Sequence, residues 1–582
     1  MSSSTSSSES PKQSKRARKQ QKKSNGTATS TWEKPAKVLL ADTIGQALHE
    51  RLLSFGDRYH QHQHQHQHQH QHQHQHQHQH QHQHQHPHQP SLPTHHNNWH
   101  QVNQQLLSTT TPHLTVPQIP RSSTSSSSNI SRKSSTMTLS SYDGQSMASS
   151  RTSHDTSPSP GTSKPSHSTA SLHSEPQPNR IITLNPPCNT ATIEPLISRH
   201  SQVSHMGVLD PSYSLFVNTT RTALLCFKVC NKVAIVSGDP MCAVEEFGAV
   251  LTEFQTWRQR HRLGLAFMGT SERMVEYAQH QHQHQHQHQH HQAPTTSWTI
   301  LEFGRERVLN PTTNPILLEQ EGKRILLQNK QLLHPDKGGI TLDIYVAPPS
   351  PTATTEADQT LQTQLSEIYT TWCHHRNNHP DKQKHPQSQA FITTYTPFTQ
   401  TQPQPQAPML YIYTRSPTTG SPTSLAALRA LGTTPGYHLD PCIAAPGTPK
   451  GLSDLLVFAA MALLRRLGCR YLGLGLEPYA QLGRVEGVAS PLVEKLVRAA
   501  YRFAFARLPV QGKRAYHDKF RPDAGLERGV FLVFVGEGGH SGGRWGSGKG
   551  TANGARAGTP EVRQVVGVAH LANIRIRRVV WG

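Results

Sequence analysis

The chain has 582 residues, of which 57 are Lys or Arg and 36 are Asp or Glu, for a formal net charge of +21. Only 33% of residues are apolar and 42 are proline, which excludes a chain packed from end to end, although its length would hold about three or four ordinary domains. Seven cysteines are too few for a disulfide framework and point to a reducing compartment. The apolar run at residues 457–464, like every other in the chain, falls far short of the ~20 needed to span a bilayer. The Ser-rich and then Lys/Arg-rich start lacks the apolar core of a signal peptide, so secretion and membrane spanning are not expected.

Residues 1–185 read as disordered, with serine runs, Pro/Ser/Thr clusters and a strict His-Gln alternation from His60 to His86. One exception is a stripe of Leu40, Ile44, Leu48 and Leu52 at spacing four, the pattern of a helix that needs a partner to be stable. A basic cluster, Lys15-Arg-Ala-Arg-Lys19 with Lys22 and Lys23, suits a nuclear address, an RNA tail, an anionic lipid contact or a plain solvated tail. The imidazoles of the His-Gln tract would hold metal without fixed geometry, so no metal site is assigned. Beyond residue 185 there remain 40 basic and 28 acidic residues, a net charge of +12, which points to an anionic partner such as nucleic acid.

From about Leu196 strands and helices are expected. Residues 223–229 and 232–236 read as a hairpin turning at Cys230-Asn231, followed by a turn at Gly238-Asp-Pro240. Helices are expected over 247–261 and 272–278, with a buried strand at 265–268 between them. The second His-Gln tract, 280–292, reads as a surface loop ahead of a strand at 298–303. A second series follows, with a helix over 361–374, strands at 390–395 and 409–413, continued αβ texture over 424–431, a helix over 452–467 and a strand at 471–476. Ser453 reads as the N-cap of that helix and Gly468 as its stop. The repeated order suggests a duplicated α/β module, with domains at 195–347 and 355–582 and a flexible Gly-rich insert at 536–558.

The first half carries Ser204-His-Met-Gly-Val-Leu-Asp210, Val236-Ser-Gly-Asp-Pro240, Phe303-Gly-Arg-Glu-Arg307, Gly322-Lys-Arg324 and Gln328-Asn-Lys330. The second half carries Gly436-Tyr-His-Leu-Asp-Pro441, Gly451-Leu-Ser-Asp-Leu-Leu456, Gly473-Leu-Gly-Leu-Glu-Pro478 and Lys519-Phe-Arg-Pro522. In this order the segments resemble the phosphatidylglycerol lysyltransferase C-terminal domain family. The chain is most similar to the free-standing fungal members, the ergosteryl-3β-O-glycine synthases; neither a fused synthetase segment nor a transmembrane half is visible. The resemblance implies two tandem acetyltransferase-like (GNAT) α/β domains. It also implies transfer of an aminoacyl group, glycine by likeness, from aminoacyl-tRNA to a lipid hydroxyl such as that of ergosterol. No cofactor is implied beyond the aminoacyl-tRNA co-substrate. The implied partners are a membrane sterol or phospholipid acceptor, a peripheral membrane contact from the cytoplasmic side and an aminoacyl-tRNA synthetase in trans.

The implied catalytic residues centre on Asp454, matching the Asp of the family's Asp-Leu-Met-Arg motif, where the Arg is replaced by Val457. A carboxylate there would orient or deprotonate an acceptor hydroxyl, although an Asp in a first helical turn also suits the helix dipole. Loss of the Arg speaks against a phosphate headgroup and for a sterol. Lys519 would stabilise an ester oxyanion or hold a tRNA phosphate, and His438 with Asp440, in the turn before Pro441, would relay a proton. Lys323, Arg324 and Lys330 suit a tRNA backbone contact on one helix face, with Arg305 and Arg307 at a strand end as further candidates or simply exposed residues. Cys226 and Cys230 read as core.

Rival readings are a phosphatidylglycerol acceptor, an acetyl-CoA-dependent N-acetyltransferase and a non-catalytic RNA-binding scaffold. The acetyl-CoA reading needs a phosphate-binding loop that opens a helix, whereas Arg465-Arg-Leu-Gly-Cys-Arg470 closes one. The scaffold reading lacks an aromatic RNA-recognition box, since aromatics make up 6% of residues.

Overall fold

The structure, a computed structural model, describes residues 38–55, 180–183, 193–210, 212–288, 296–347, 354–377, 409–507, 511–537, 560–572 and 574. Helix α1 covers residues 40–55. Strand β1 (Ile181–Thr183), helix α2 (Glu194–His200) and a 3-10 helix (Val203–Leu209) lead into an antiparallel meander of β2 (Ser214–Val217), β3 (Leu224–Cys230) and β4 (Val233–Ser237). The hairpin turns at Asn231-Lys232, one residue later than the sequence suggests. Both residues have positive φ, 52° and 58°, the turn geometry that follows the twist of the flanking strands.

Helix α3 (Phe247–Arg260), β5 (Gly264–Thr270), α4 (Glu272–His288) and β6 (Thr296–Leu309) complete the first half. The second half runs α5 (Lys323–Leu333), β7 (Thr341–Val346), α6 (Glu356–Asn377), β8 (Met409–Arg415), β9 (Pro422–Leu431), β10 (Gly436–Ala444), α7 (Leu452–Arg466), β11 (Leu472–Pro478) and β12 (Val485–Glu486). Helices α8 (Pro491–Phe505) and α9 (Gln511–Asp518), strand β13 (Arg528–Glu537) and helix α10 (Val562–Leu571) follow.

The strands form one sheet in the order β1-β2-β3-β4-β5-β13-β6-β11-β10-β9-β8-β7, with β12 against β6. Each half repeats one device: an antiparallel meander, then a helical crossover to a parallel neighbour, β4–α3–β5 and β10–α7–β11. The halves also exchange strands. Strand β13, from the end of the chain, inserts between β5 and β6, while the C-terminal part of β6 pairs with β11. Residues 40–582 accordingly form a single unit. The α/β class holds, but the boundary drawn between 347 and 355 in sequence is not a gap in the sheet, since β7 pairs with β8.

Other expectations are met or changed. Residues 40–55, the exception within the expected disordered leader, form a helix of the core: Ala41, Ile44 and Leu48 are buried beside α7, Leu40 N–H donates to Glu319 Oε1 (3.2 Å), and Arg51 pairs with Asp343 (3.2 Å). A four-residue apolar stripe found the partner it required. Residues 181–183 are likewise a strand of the sheet. Helix α4 runs on to His288, through most of the expected His-Gln loop, because extending a packed helix is far cheaper than starting one and no Gly or Pro interrupts the tract. The N-cap of α7 is Gly451, at φ 97°, with Ser453 inside the helix, and residues 424–431 are strand β9. The expected strand at 390–395, the His60–His86 tract, the basic cluster at 15–23 and most of the Gly-rich insert lie outside the described residues.

Candidate active site

The two parallel pairs differ where it matters. In the first half β4 and β5 stay paired from Val233–Gly264 to Ser237–Met268. Beyond that point the 3-10 helix fills the space: a Cβ on Gly238 (φ 72°) would lie 2.4 Å from Ser204 Oγ and 2.6 Å from His205 Nε2. This plug is tied down by hydrogen bonds. The Gln202 N–H donates to His205 Nδ1 (2.8 Å), so Nε2 carries the proton and donates to the Asp239 carbonyl (2.8 Å). Asp239 in turn accepts from the backbone and hydroxyl of Ser271 (2.8 and 2.5 Å) and from the Gln202 amide (3.0 Å). Burial holds His205 down at a pKa of about 4, as a neutral imidazole. The motifs Ser204-His205 and Gly238-Asp239 thus close the first wedge.

In the second half β10 and β11 pair only at Tyr437–Leu472 and His438–Gly473. They then diverge, β10 pairing only with β9 and β11 only with β6. Gly475 (φ 100°) sits at this opening, and a Cβ there would meet nothing nearer than Lys513 Nζ at 3.5 Å and His438 Nε2 at 3.8 Å. The wedge is lined along β10 by His438, Asp440 and Cys442, and opposite them α9 presents Lys513, Tyr516 and His517 at helical spacing. Much of Lys513 faces solvent, yet desolvation lowers the pKa of its amine, with Asp440 and Glu477 pulling the other way. His438 is 2% exposed, and burial, then Arg429 and Lys513, hold it well below the usual imidazole range.

Farther along β10, Asp454 in the first turn of α7 accepts a hydrogen bond from Lys519 Nζ, just beyond α9. The Lys519 ammonium also lies 4.0 Å from the Tyr516 ring centroid and 5.2 Å from that of Phe520. The Cys442 thiol touches the Ser453 carbonyl (3.5 Å), and burial followed by the Asp454 charge pushes its pKa up to about 12. Sixty-five residues apart in sequence, Asp454 and Lys519 therefore form one ion pair beside an open wedge.

The remaining predicted residues are placed differently. His438 and Asp440 lie in strand β10 rather than a turn. The charges that act on His438 are Arg429 and Lys513, whereas Asp440 acts on Lys513 and Cys442. Arg305 and Arg307 are not exposed strand-end cations. Arg307 is 4% exposed and pairs with Glu527 (2.7 Å), Glu477 (3.2 Å) and Asp518; Arg305 pairs with Glu527 (2.8 Å) and Glu477 (3.1 Å). A buried guanidinium must be matched by carboxylates, and here it is. Lys323 and Arg324 are exposed in the first turn of α5, and Lys330, half-exposed, lies 3.5 Å from Glu319. Lys513, Tyr516 and Cys442 were not anticipated. The only signal for Lys513 and Tyr516 was their place in the short amphipathic stretch before Lys519. Glu306 points to the opposite sheet face from its Arg neighbours, into a cleft of about 420 Å³ (solvent-open space included) beside Tyr471 and Arg528; burial raises its pKa and the Tyr471 hydroxyl offsets this.

Residues 193–529 match the family described as phosphatidylglycerol lysyltransferase, C-terminal. No curated protein matches the chain in sequence. Among solved structures, the chain is similar to L-PGS from Bacillus licheniformis, with 17% identity over 60% of this chain and 91% of that one and a TM-score of 0.43. It is also similar to a C-terminal DUF2156 domain from Agrobacterium fabrum (15%, 59% and 90%, 0.40) and to a tandem GNAT protein from the clavulanic acid biosynthesis pathway (12%, 62% and 98%, 0.25). Because the family match spans more than half of the chain and includes both β10 and the Asp454–Lys519 pair, the protein belongs to the phosphatidylglycerol lysyltransferase C-terminal family of aminoacyl-tRNA-dependent lipid aminoacyltransferases.

Proposed function

We propose that this aminoacyltransferase moves an aminoacyl group, glycine as the first substrate to test, from aminoacyl-tRNA to the 3β-hydroxyl of a membrane sterol. The observation that carries the reading is the Asp454–Lys519 pair beside the open β10–β11 wedge. The acceptor hydroxyl attacks the ester carbonyl and its proton passes to the Asp454 carboxylate. The Lys519 ammonium faces the oxyanion that develops. Collapse of the intermediate breaks the bond to the ribose oxygen, which takes a proton back. Lys513, at the point where the strands part, offers a second cation for the oxyanion or for a terminal phosphate of the tRNA.

Two features support the choice of partners. Val457, which stands where bacterial relatives carry Arg, is 1% exposed within the core, so no guanidinium is available there for a phosphate headgroup, which favours a neutral acceptor. Lys323 and Arg324 sit at the N-terminal end of α5, where cations oppose the helix dipole, and the first turn holds no acid. They do not serve helix stability there, and a tRNA backbone would give them a use. The donor would be charged by a synthetase in trans.

The test is transfer of labelled amino acid from charged tRNA into the sterol fraction of vesicles, read by mass spectrometry of the extracted lipid. RNase should abolish product and acetyl-CoA should not replace the tRNA. Label appearing in phosphatidylglycerol and not in sterol would replace the sterol by a phospholipid acceptor. Product formation that survives RNase would overturn the donor.

A further inference from the structure

Helix α8 has a face that none of the other described residues covers. It starts cleanly, with Ser490 Oγ accepting from Val493 N–H (3.3 Å) and Pro491 at the first helical position. Its inner side is anchored. Val497 and Tyr501 pack on the core, the Tyr501 hydroxyl lies 2.9 Å from the carbonyls of both Phe303 and Tyr479, either of which can accept its one proton, and Arg498 reaches the Leu482 carbonyl (2.6 Å) while pairing with Glu494 (2.8 Å). The outer side carries Leu492, Leu496 and Phe503, which are 76%, 68% and 46% exposed. At spacings of four and seven they form one stripe. Lys495, Arg502 and Arg507 are exposed alongside, and Arg507 lies over the Phe503 ring, 3.4 Å from its centroid. The helix's one acid, Glu494, is engaged by Arg498, so the outward face is apolar and cationic only.

We propose that α8 is the membrane-docking element of this enzyme, its Leu492–Leu496–Phe503 stripe entering the interface of a bilayer whose anionic lipids are attracted by Lys495, Arg502 and Arg507. A protein partner or a second copy would be served by the apolar stripe alone, whereas the flanking cations complement an anionic lipid surface. Placement in the chain agrees: α9 with Lys513, and then Lys519, follow α8 within 14 residues of its end. The inference does not depend on which lipid is aminoacylated or which amino acid is donated.

The experiment uses the full chain without tRNA, sedimented with phosphatidylcholine vesicles with and without phosphatidylserine. Wild type should bind the mixed vesicles. The triple variant Leu492→Asn, Leu496→Asn, Phe503→Ser should partition more than about tenfold less, with unchanged melting temperature because the three side chains are exposed. Lys495→Gln with Arg502→Gln should remove most of the preference for anionic vesicles. Because the cluster at Lys15–Lys23 could also attract such vesicles, Phe503→Trp provides a local reading: its emission should shift to the blue and be quenched by lipids with brominated chains. A triple variant that sediments like wild type, an unquenched Trp at 503, or a wild type that ignores vesicles and self-associates would each overturn the proposal.

Discussion

At the scale of single residues, the site joins groups whose roles can be separated by measurement. Asp454→Asn keeps the size and helix-start chemistry of the side chain but removes the charge that Lys519 meets. Turnover is expected to fall by ~10²–10³ with little change in melting temperature, as a proton acceptor would require. Turnover near normal with a lower melting temperature would make Asp454 a structural partner of Lys519 and the helix dipole, worth about 0.3–1 kcal/mol. The plug histidine makes a different prediction. His205 has its pKa lowered from 6.5 to about 4 by burial, so between those values the unfolded chain binds a proton that the folded one refuses. Its contribution is therefore complete above pH 6.5 and is lost as pH falls towards 4, amounting to about 2 kcal/mol by pH 5. His438 and His517 shift in the same direction. Melting curves from pH 7 to pH 5 should show the loss, and His205→Gln should be less stable overall but with a flatter slope. A slope unchanged by the substitution would mean that other groups carry the acid sensitivity.

At the scale of elements, α1 shows how a segment inside a low-complexity leader can belong to the core. Its close approach to α7 is marked by Gly45, where a Cβ would lie 2.5 Å from the Ala462 carbonyl oxygen. Leu48 is 1% exposed, so Leu48→Ala should cost about 2–5 kcal/mol. A chain beginning near residue 38 should keep the melting temperature of the full protein, whereas one beginning near 180 should melt markedly lower; equal melting of the two would show that α1 is a surface attachment. The stripe Leu40-Ile44-Leu48-Leu52 was readable because a period of four survives any flanking sequence. What it packs against was not, since its partner α7 lies some 400 residues later. Helix α8 carried equally plain signals, a Ser-Pro start and an apolar–basic alternation, but its meaning rests on which side turns inward, and only the packing of Val497 and Tyr501 decides that.

At the scale of the whole molecule, strand exchange ties the halves together. Strand β13 is flanked by β5 and β6, and helix α10 packs against β3, β4 and β5, so the end of the chain completes the first half. Calorimetry should accordingly show a single cooperative transition for both halves, and truncation after residue 527 should abolish it, because the first half would be left with two open sheet edges. Two separate transitions, the first unaffected by truncation, would show that the halves fold independently.

The sequence alone determined many of the elements, through apolar periodicity and turn residues, though not β1, β13 or the run of α4 to His288, and it determined the family, through ordered short motifs that include Asp454 and Lys519. Those signals are local: a strand, a hairpin turn or a motif is written within about a dozen neighbouring residues. The tertiary structure decided what depends on contacts between distant residues. It closed the first wedge with Ser204 and His205, opened the second between β10 and β11, turned Arg305 and Arg307 inward onto Glu477 and Glu527, and brought Lys519 to Asp454. Charge and exposure are properties of surroundings, and an arginine's sequence neighbours do not say whether it will meet water or a buried carboxylate.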